Sequence, residues 1–166
     1  MKKVNLNKSL PERKKTIIDI SNCNNIANIL QENKTQSELI NKLYLDENFY
    51  EKSILVNEIK TKINGYRQQD LEKEIYIEHS LITLEELIEK LLSSKLKCEY
   101  CKCDMKMFYK NQREPKQWTL DRINNNVGHS NINTVVSCLK CNLERRRRNM
   151  KDFKFTKQLI IKKNDS

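Results

Sequence analysis

Between Gln117 and Asn142 the chain reads QWTLDRINNNVGHSNINTVVSCLKCN. Asp121 stands beside Arg122, His129 follows seven residues after that Arg, and the stretch closes on Cys138-x-x-Cys141 with Asn142 directly behind. These residue types hold metals and move protons. Carboxylate and amide oxygens are hard ligands suited to Mg²⁺. An imidazole titrates near neutrality, and paired thiolates bind zinc. Upstream, Cys98 and Cys101 form a second Cys-x-x-Cys, with 36 residues between the two motifs. A two-residue turn lets both thiolates of a pair reach one ion at about 2.3 Å, so two such pairs predict one tetrahedral structural zinc site. A thioredoxin-like redox pair would explain one motif, not two, and no βαβ pattern surrounds either. Cys103 reads as a bystander rather than a swap ligand. Cys23, far off in sequence, reads as an ordinary buried thiol.

The elements that must position these residues can be read around them. QWTLDRI and NINTVVSC have the composition of two strands, joined by the polar loop NNNVGHS. NLERRRRNM is compatible with a helix and poor in β-branched residues, which puts Cys141 in a first helical turn. The expected unit is knuckle, hairpin, helix: a ββα arrangement clamped by zinc. It would bring Asp121, at the end of the first strand, near Asn142, a pair suited to Mg²⁺ with several waters retained. Such an ion polarises a scissile phosphate and stabilises its leaving oxygen. Asn133, opening the second strand, can hold the loop by side-chain bonds to backbone.

The first half reads as helical, so the fold class is α+β. Residues 1–95 form a helical scaffold or specificity region and residues 96–166 a zinc-stapled ββα unit with a C-terminal helical segment. TQSE at Thr35–Glu38 and TLEE at Thr83–Glu86 are capping-box patterns. Leu84, Leu87, Ile88, Leu91 and Leu92 make an apolar stripe on one helix face. Ile54, Leu55, Ile59 and Ile63 do the same ahead of Gly65, an expected helix stop. Residues 1–33 are expected to be partly disordered. Met150, Phe153, Leu159 and Ile160 predict a last segment that packs back on the first half.

Charge divides the chain. Residues 1–97 hold 16 Lys and Arg against 15 Asp and Glu; residues 98–166 hold 16 against 7. A basic second half implies a polyanionic partner, a nucleic acid before solubility alone. On a helix Arg145 and Arg148 would point together and grip the duplex backbone; the other reading of the four arginines is a nuclear localisation signal. Lys102, Lys106, Lys110, Arg113 and Lys116 form a second basic stretch in which Phe108 and Tyr109 read as core. No stretch has the roughly 18 apolar residues of a membrane span. The basic N-terminus lacks an apolar signal core, so an intracellular protein, cytoplasmic or nuclear and not secreted, is expected.

From about Cys98 to Phe153 the chain resembles the HNH endonucleases, the ββα-metal nucleases, in their zinc-stapled branch. LDRINNNVGHSNINTVVSCLKCN is similar to Leu-Asp-Arg-Ile variants in phage and large DNA virus proteins. The resemblance implies a DNA-cleaving nuclease with catalytic Mg²⁺ or Mn²⁺. In it Asp121 is the first ligand of the catalytic ion, Asn133 the middle Asn that orients the site, and Asn142 the second ligand. Position 122, where the family carries the His that activates water, holds Arg122. Asn124 likewise replaces an Asp.

An arginine keeps its proton and cannot serve as a base. Three readings follow: Arg122 clamps phosphate while His129 deprotonates water; metal-bound water suffices, slowly; or the site only binds. The bland alternative for His129 is a loop residue facing phosphate or solvent. The expected function is a metal-dependent DNA endonuclease. Its rivals are a catalytically inactive zinc-stapled DNA-binding protein and, more distantly, an interaction adaptor.

Overall fold

A computed structural model describes residues 33–109, 111 and 113–159. The expectations for residues 1–32, including Cys23, and those for Lys110 and Ile160 lie outside the described residues. The fold is α+β. Three helices come first: α1 (Asn33–Tyr44), α2 (Lys52–Glu72) and α3 (Leu84–Ser93). A two-stranded antiparallel sheet follows, β1 (Trp118–Arg122) with β2 (Thr134–Cys138), then α4 (Leu139–Arg145) and α5 (Met150–Gln158). Among the described residues no helix is long and apolar enough to cross a membrane.

The stripe on α3 is the inward face: Leu87, Ile88 and Leu91 are buried, with Leu84 and Leu92 packed beside them. Thr83 caps this helix reciprocally. Its Oγ1 accepts the Glu86 amide at 3.2 Å and the Glu86 carboxylate accepts the Thr83 amide at 2.9 Å, which satisfies two N-terminal donors at once. The TQSE pattern does not mark the start of its helix: α1 already begins at Asn33. There Gln36 turns inward, its Oε1 accepting the amides of Met107 at 2.7 Å and Phe108 at 3.2 Å.

Gly65 does not stop its helix. α2 runs on to Glu72, because tertiary contacts beyond the glycine hold it: Tyr66 and Asp70 are both buried. Such contacts outweigh the roughly 1 kcal/mol that a mid-helix glycine costs relative to alanine. The chain turns after α3 through Lys95 and Leu96, both with positive φ. One apolar core nevertheless continues from Leu39 and Leu55 through Phe108 and Trp118 to Phe153.

The sheet pairs Trp118 with Cys138, Asp121 with Val135 and Arg122 with Thr134. All five β1 residues are buried, so the strand is covered on both faces. Side chains alternate along a strand. Accordingly Trp118 and Arg122 meet α2, through Lys62 and Asp70, whereas Thr119 and Asp121 meet α4, through Asn142 and Arg145.

Two expectations for the C-terminal segment are corrected. α4 ends at Arg145, and Arg146 leaves it at φ 53°, so the arginine run is not one helix. α5 packs on the knuckle segment, not on the first half. Phe153 meets the Tyr100 ring edge-on with centroids 4.9 Å apart, and Gln158 donates to the Tyr100 carbonyl at 2.9 Å. Leu159 is exposed.

Nothing lies within 4 Å of a Cβ built on Gly65. Gly65→Ala is therefore expected to stabilise the protein by about 0.5–1 kcal/mol, read as a rise in Tm of about 2–4 °C. An unchanged or lower Tm would mean that the helix is not continuous there.

Candidate functional site

The two Cys-x-x-Cys motifs meet. The sulfurs of Cys98, Cys101, Cys138 and Cys141 all lie within 4.8 Å of one another, a cluster that can hold a metal ion. Ligands about 2.3 Å from one tetrahedral ion stand about 3.8 Å apart; Cys101 Sγ and Cys138 Sγ are separated by 3.9 Å. The local geometry of each knuckle follows from sequence. Lys102 takes a positive φ, and its amide donates back to the Cys98 carbonyl at 3.0 Å. Cys138 occupies the cap position of α4, where its sulfur accepts the Cys141 amide at 3.4 Å, and Cys141 lies in the first helical turn as expected. Burial and the neighbouring Cys98 push the Cys141 thiol up to about 12. Cys98 is pushed up as well, by its contact with Cys138 and by burial, and a bound cation reverses that preference for the thiol form. Cys103 is outside the four-sulfur group; its carbonyl accepts the Cys98 amide at 2.9 Å.

Beside this cluster lies a cleft of about 1260 Å³ between α2, the hairpin loop and α4. Asp121, Arg122, His129 and Asn142 all line it, together with Lys73, Lys151 and Arg145 to Arg148. The sequence-level site residues therefore converge, with Asn133 just behind them.

Each one has a partner that defines it. Asp121 is gripped by Arg145, whose Nη2 donates to Oδ1 at 2.9 Å and whose Nε donates to Oδ2. The Tyr100 hydroxyl also donates to Oδ2. Arg145 is 1% exposed. Burial opposes its charge, but Asp121 more than compensates and holds its pKa above the ordinary value. The expected role of Arg145 as a duplex contact is thus replaced by a buried ion pair. Arg148 is exposed, with its guanidinium 4.6 Å from the centre of the Phe153 ring. Asn142 directs its amide nitrogen at the sheet, donating to Thr119 Oγ1 at 3.1 Å and the Leu120 carbonyl at 3.0 Å.

Arg122 leaves the strand on the opposite side. Its Nη1 lies 3.5 Å from Asp70 Oδ1 and it is 7% exposed, so it is tied to α2 and not held free as a phosphate clamp. The same carboxylate takes His129. Oδ1 is 2.7 Å from the ring Nδ1, and Oδ2 accepts the His129 amide at 2.6 Å. Tyr66, one turn before Asp70, stacks on the imidazole with centroids 4.6 Å apart and planes 24° from parallel. Its hydroxyl accepts the Leu120 amide at 2.9 Å. Burial lowers the His129 pKa below its ordinary value and Asp70 opposes that shift only in part, a balance that favours the neutral ring. Nε2 has no hydrogen-bond partner among the described residues.

Asn133 holds the loop that carries His129. Its Nδ2 donates to the carbonyls of Asn124, Val127 and Gly128, each at 3.0 Å, and its Oδ1 accepts the Asn124 amide at 2.9 Å. One side chain thus fixes both ends of the five-residue span from Asn124 to Gly128 by local side-chain-to-backbone bonds. The β2 strand begins one residue later, at Thr134.

Asp70 and Tyr66 carry no mark in the sequence, since they sit in a helix that reads as scaffold. No protein-family model, curated protein or solved structure matches the chain.

Removing one partner of a buried ion pair leaves the other charge stranded. Asp121→Ala is therefore expected to destabilise the protein by about 3–5 kcal/mol in urea unfolding. Were Asp121 only a ligand for a catalytic ion, the same change would leave the unfolding midpoint where it was.

Proposed function

We propose that this protein is an endonuclease of HNH type that hydrolyses DNA phosphodiester bonds in the arginine-lined cleft, with zinc at the four cysteines. The observation that carries the reading is the position of His129: an imidazole held at Nδ1 by Asp70, with no partner at Nε2 among the described residues, in the wall of the same cleft as Arg146, Arg147 and Lys151. A surface that only bound phosphate would need the cations and no such base. The strongly basic second half supports DNA as the partner, through contacts to its backbone.

In this reading Nε2 of His129 takes a proton from water as the water oxygen bonds to phosphorus. The bond from phosphorus to the leaving sugar oxygen breaks, and that oxygen is protonated by solvent. An imidazole with a pKa below its usual value remains a competent base at pH 7. The exposed arginines neutralise the phosphate that approaches.

The resemblance also calls for Mg²⁺ or Mn²⁺ between Asp121 and Asn142. The residues as folded do not fit such an ion. The obstacle is Asp121: both of its oxygens are engaged by Arg145, and Oδ2 also accepts from Tyr100, whereas Asn142 bonds to the sheet through its amide nitrogen only. No step here passes through a divalent ion. The same observation favours a second reading, a zinc-stapled protein that binds DNA without cutting it.

Supercoiled plasmid incubated with the zinc-loaded protein, with and without added Mg²⁺ or Mn²⁺, separates the two. Nicking is expected, and His129→Ala should slow it about a hundredfold or more while DNA binding persists. Binding with no nicking under any of these conditions would establish the second reading.

Zinc removal has its own readout. Trp118, the only tryptophan, is fully buried and pairs with the zinc-site residue Cys138 across the sheet. Metal binding of this kind is folding free energy. Chelation should shift Trp118 emission to the red and lower Tm, and Zn²⁺ should restore both. Emission unchanged after verified removal would refute a structural role.

A further inference from the structure

The helical half reaches into the cleft at one place. α2 ends with Tyr66 and Asp70 one turn apart on the same face, and both touch His129. Asp70 holds that residue twice, by the ring nitrogen and by the backbone amide. Close approach is built in at the preceding residue. A Cβ on Gly128 would stand 2.9 Å from Asp70 Oδ2 and 3.0 Å from the Ile75 carbonyl, so only glycine lets the loop settle on the end of α2. On the far side of the loop, the His129 carbonyl accepts the Ile82 amide at 2.9 Å. A carboxylate that is 1% exposed and makes three contacts to cleft residues exceeds what joining two segments requires.

We infer that Asp70 is a positioning residue for His129: it fixes the imidazole with its proton on Nδ1 and so leaves Nε2 as the basic nitrogen facing the cleft. The reasoning is chemical. A carboxylate only accepts, so the nitrogen beside it must donate. In the neutral ring the second nitrogen is then unprotonated. Asp70 also stabilises the imidazolium that forms once Nε2 has taken a proton, and the buried site strengthens that attraction. Tyr66 covers one ring face and blocks rotation about the Cβ–Cγ bond. The groups that face the imidazole are Asp70, Lys73 and Tyr66 from α2 and its end, and Arg122 from β1. Of these only Asp70 raises its basicity at hydrogen-bond distance.

The inference assigns a task to residues 66–70. They complete the site, so the cysteine-clamped unit without α2 lacks a defined base. It rests on the endonuclease reading for its reaction, but not for its geometry.

The test uses the full chain labelled with ¹⁵N. The sequence has two histidines, and the other, His79, is fully accessible in a loop. Long-range ¹H–¹⁵N spectra should show His129 as the Nδ1–H tautomer, with His79 as the second, separately assigned imidazole. Asp70→Asn keeps the size of the side chain and removes its charge. It should lower the His129 titration midpoint, reduce kcat for plasmid nicking at least about tenfold and leave KM within about twofold. The acid limb of the pH–rate profile should move to lower pH, because the carboxylate that raised the imidazole midpoint is gone. His79→Ala should change none of these. A fall in rate with an unmoved acid limb and an unmoved His129 midpoint would make Asp70 merely structural and overturn the inference. So would a wild-type His129 in the Nε2–H tautomer, a measurement that needs no variant to fold. Should the wild type nick nothing, the reaction reading fails, while the tautomer and the Asp70→Asn shift still decide the pairing.

Discussion

The structure turns on a strand that is buried on both faces. β1 has helix α2 on one side and α4 with the knuckle on the other, and the alternation of a strand sends neighbouring side chains to opposite sides. Asp121 and Arg122 are adjacent in sequence, yet they do not meet. Each must find a counter-charge in its own compartment, because an unpaired charge there would be costly. Asp121 finds Arg145 and Arg122 finds Asp70. The cleft is thereby divided into a carboxylate–guanidinium wall next to the cysteine cluster and an imidazole wall next to the helical half.

Much of the cysteine-clustered unit was legible because its signals are local. Cysteine spacing, the two short strands, the polar loop between them and the Thr83–Glu86 box each lie within a few residues, and each depends on geometry that nearby atoms determine. Asn133 belongs to the same class, since a side chain bonding to backbone 5–9 residues away is a local device. The clustering of Cys98, Cys101, Cys138 and Cys141 needed one more step, that both motifs serve one site, and the spacing supplied it.

What was not legible is the pairing of distant charges. Asp70 meets His129 across 59 residues and Arg122 across 52, and nothing in the helix around Asp70 sets it apart from its solvated neighbours. The arginine run shows the same limit. Four identical residues give no hint that Arg145 is the one taken into the interior, or that the helix breaks behind it at Arg146. Gly65 misled because propensity was weighed without the packing of Tyr66 beyond it. The resemblance located Asp121 and Asn142 but was silent on what holds them, since Arg145, Tyr100 and Thr119 are fixed by packing and not by motif.

The wide sequence separation of these contacts governs when the cleft can come into being. α2 is formed from contiguous residues and can appear early, as helices rest on local bonds. The imidazole it holds lies 59 residues further on, and the last sulfur of the cysteine cluster and the guanidinium beside Asp121 come later still, at Cys141 and Arg145. During synthesis from the N-terminus, these groups can assemble only once the chain has emerged past Arg145. A chain that stops short of that residue carries basic residues without an organised cleft, and whatever the cleft does is withheld until then.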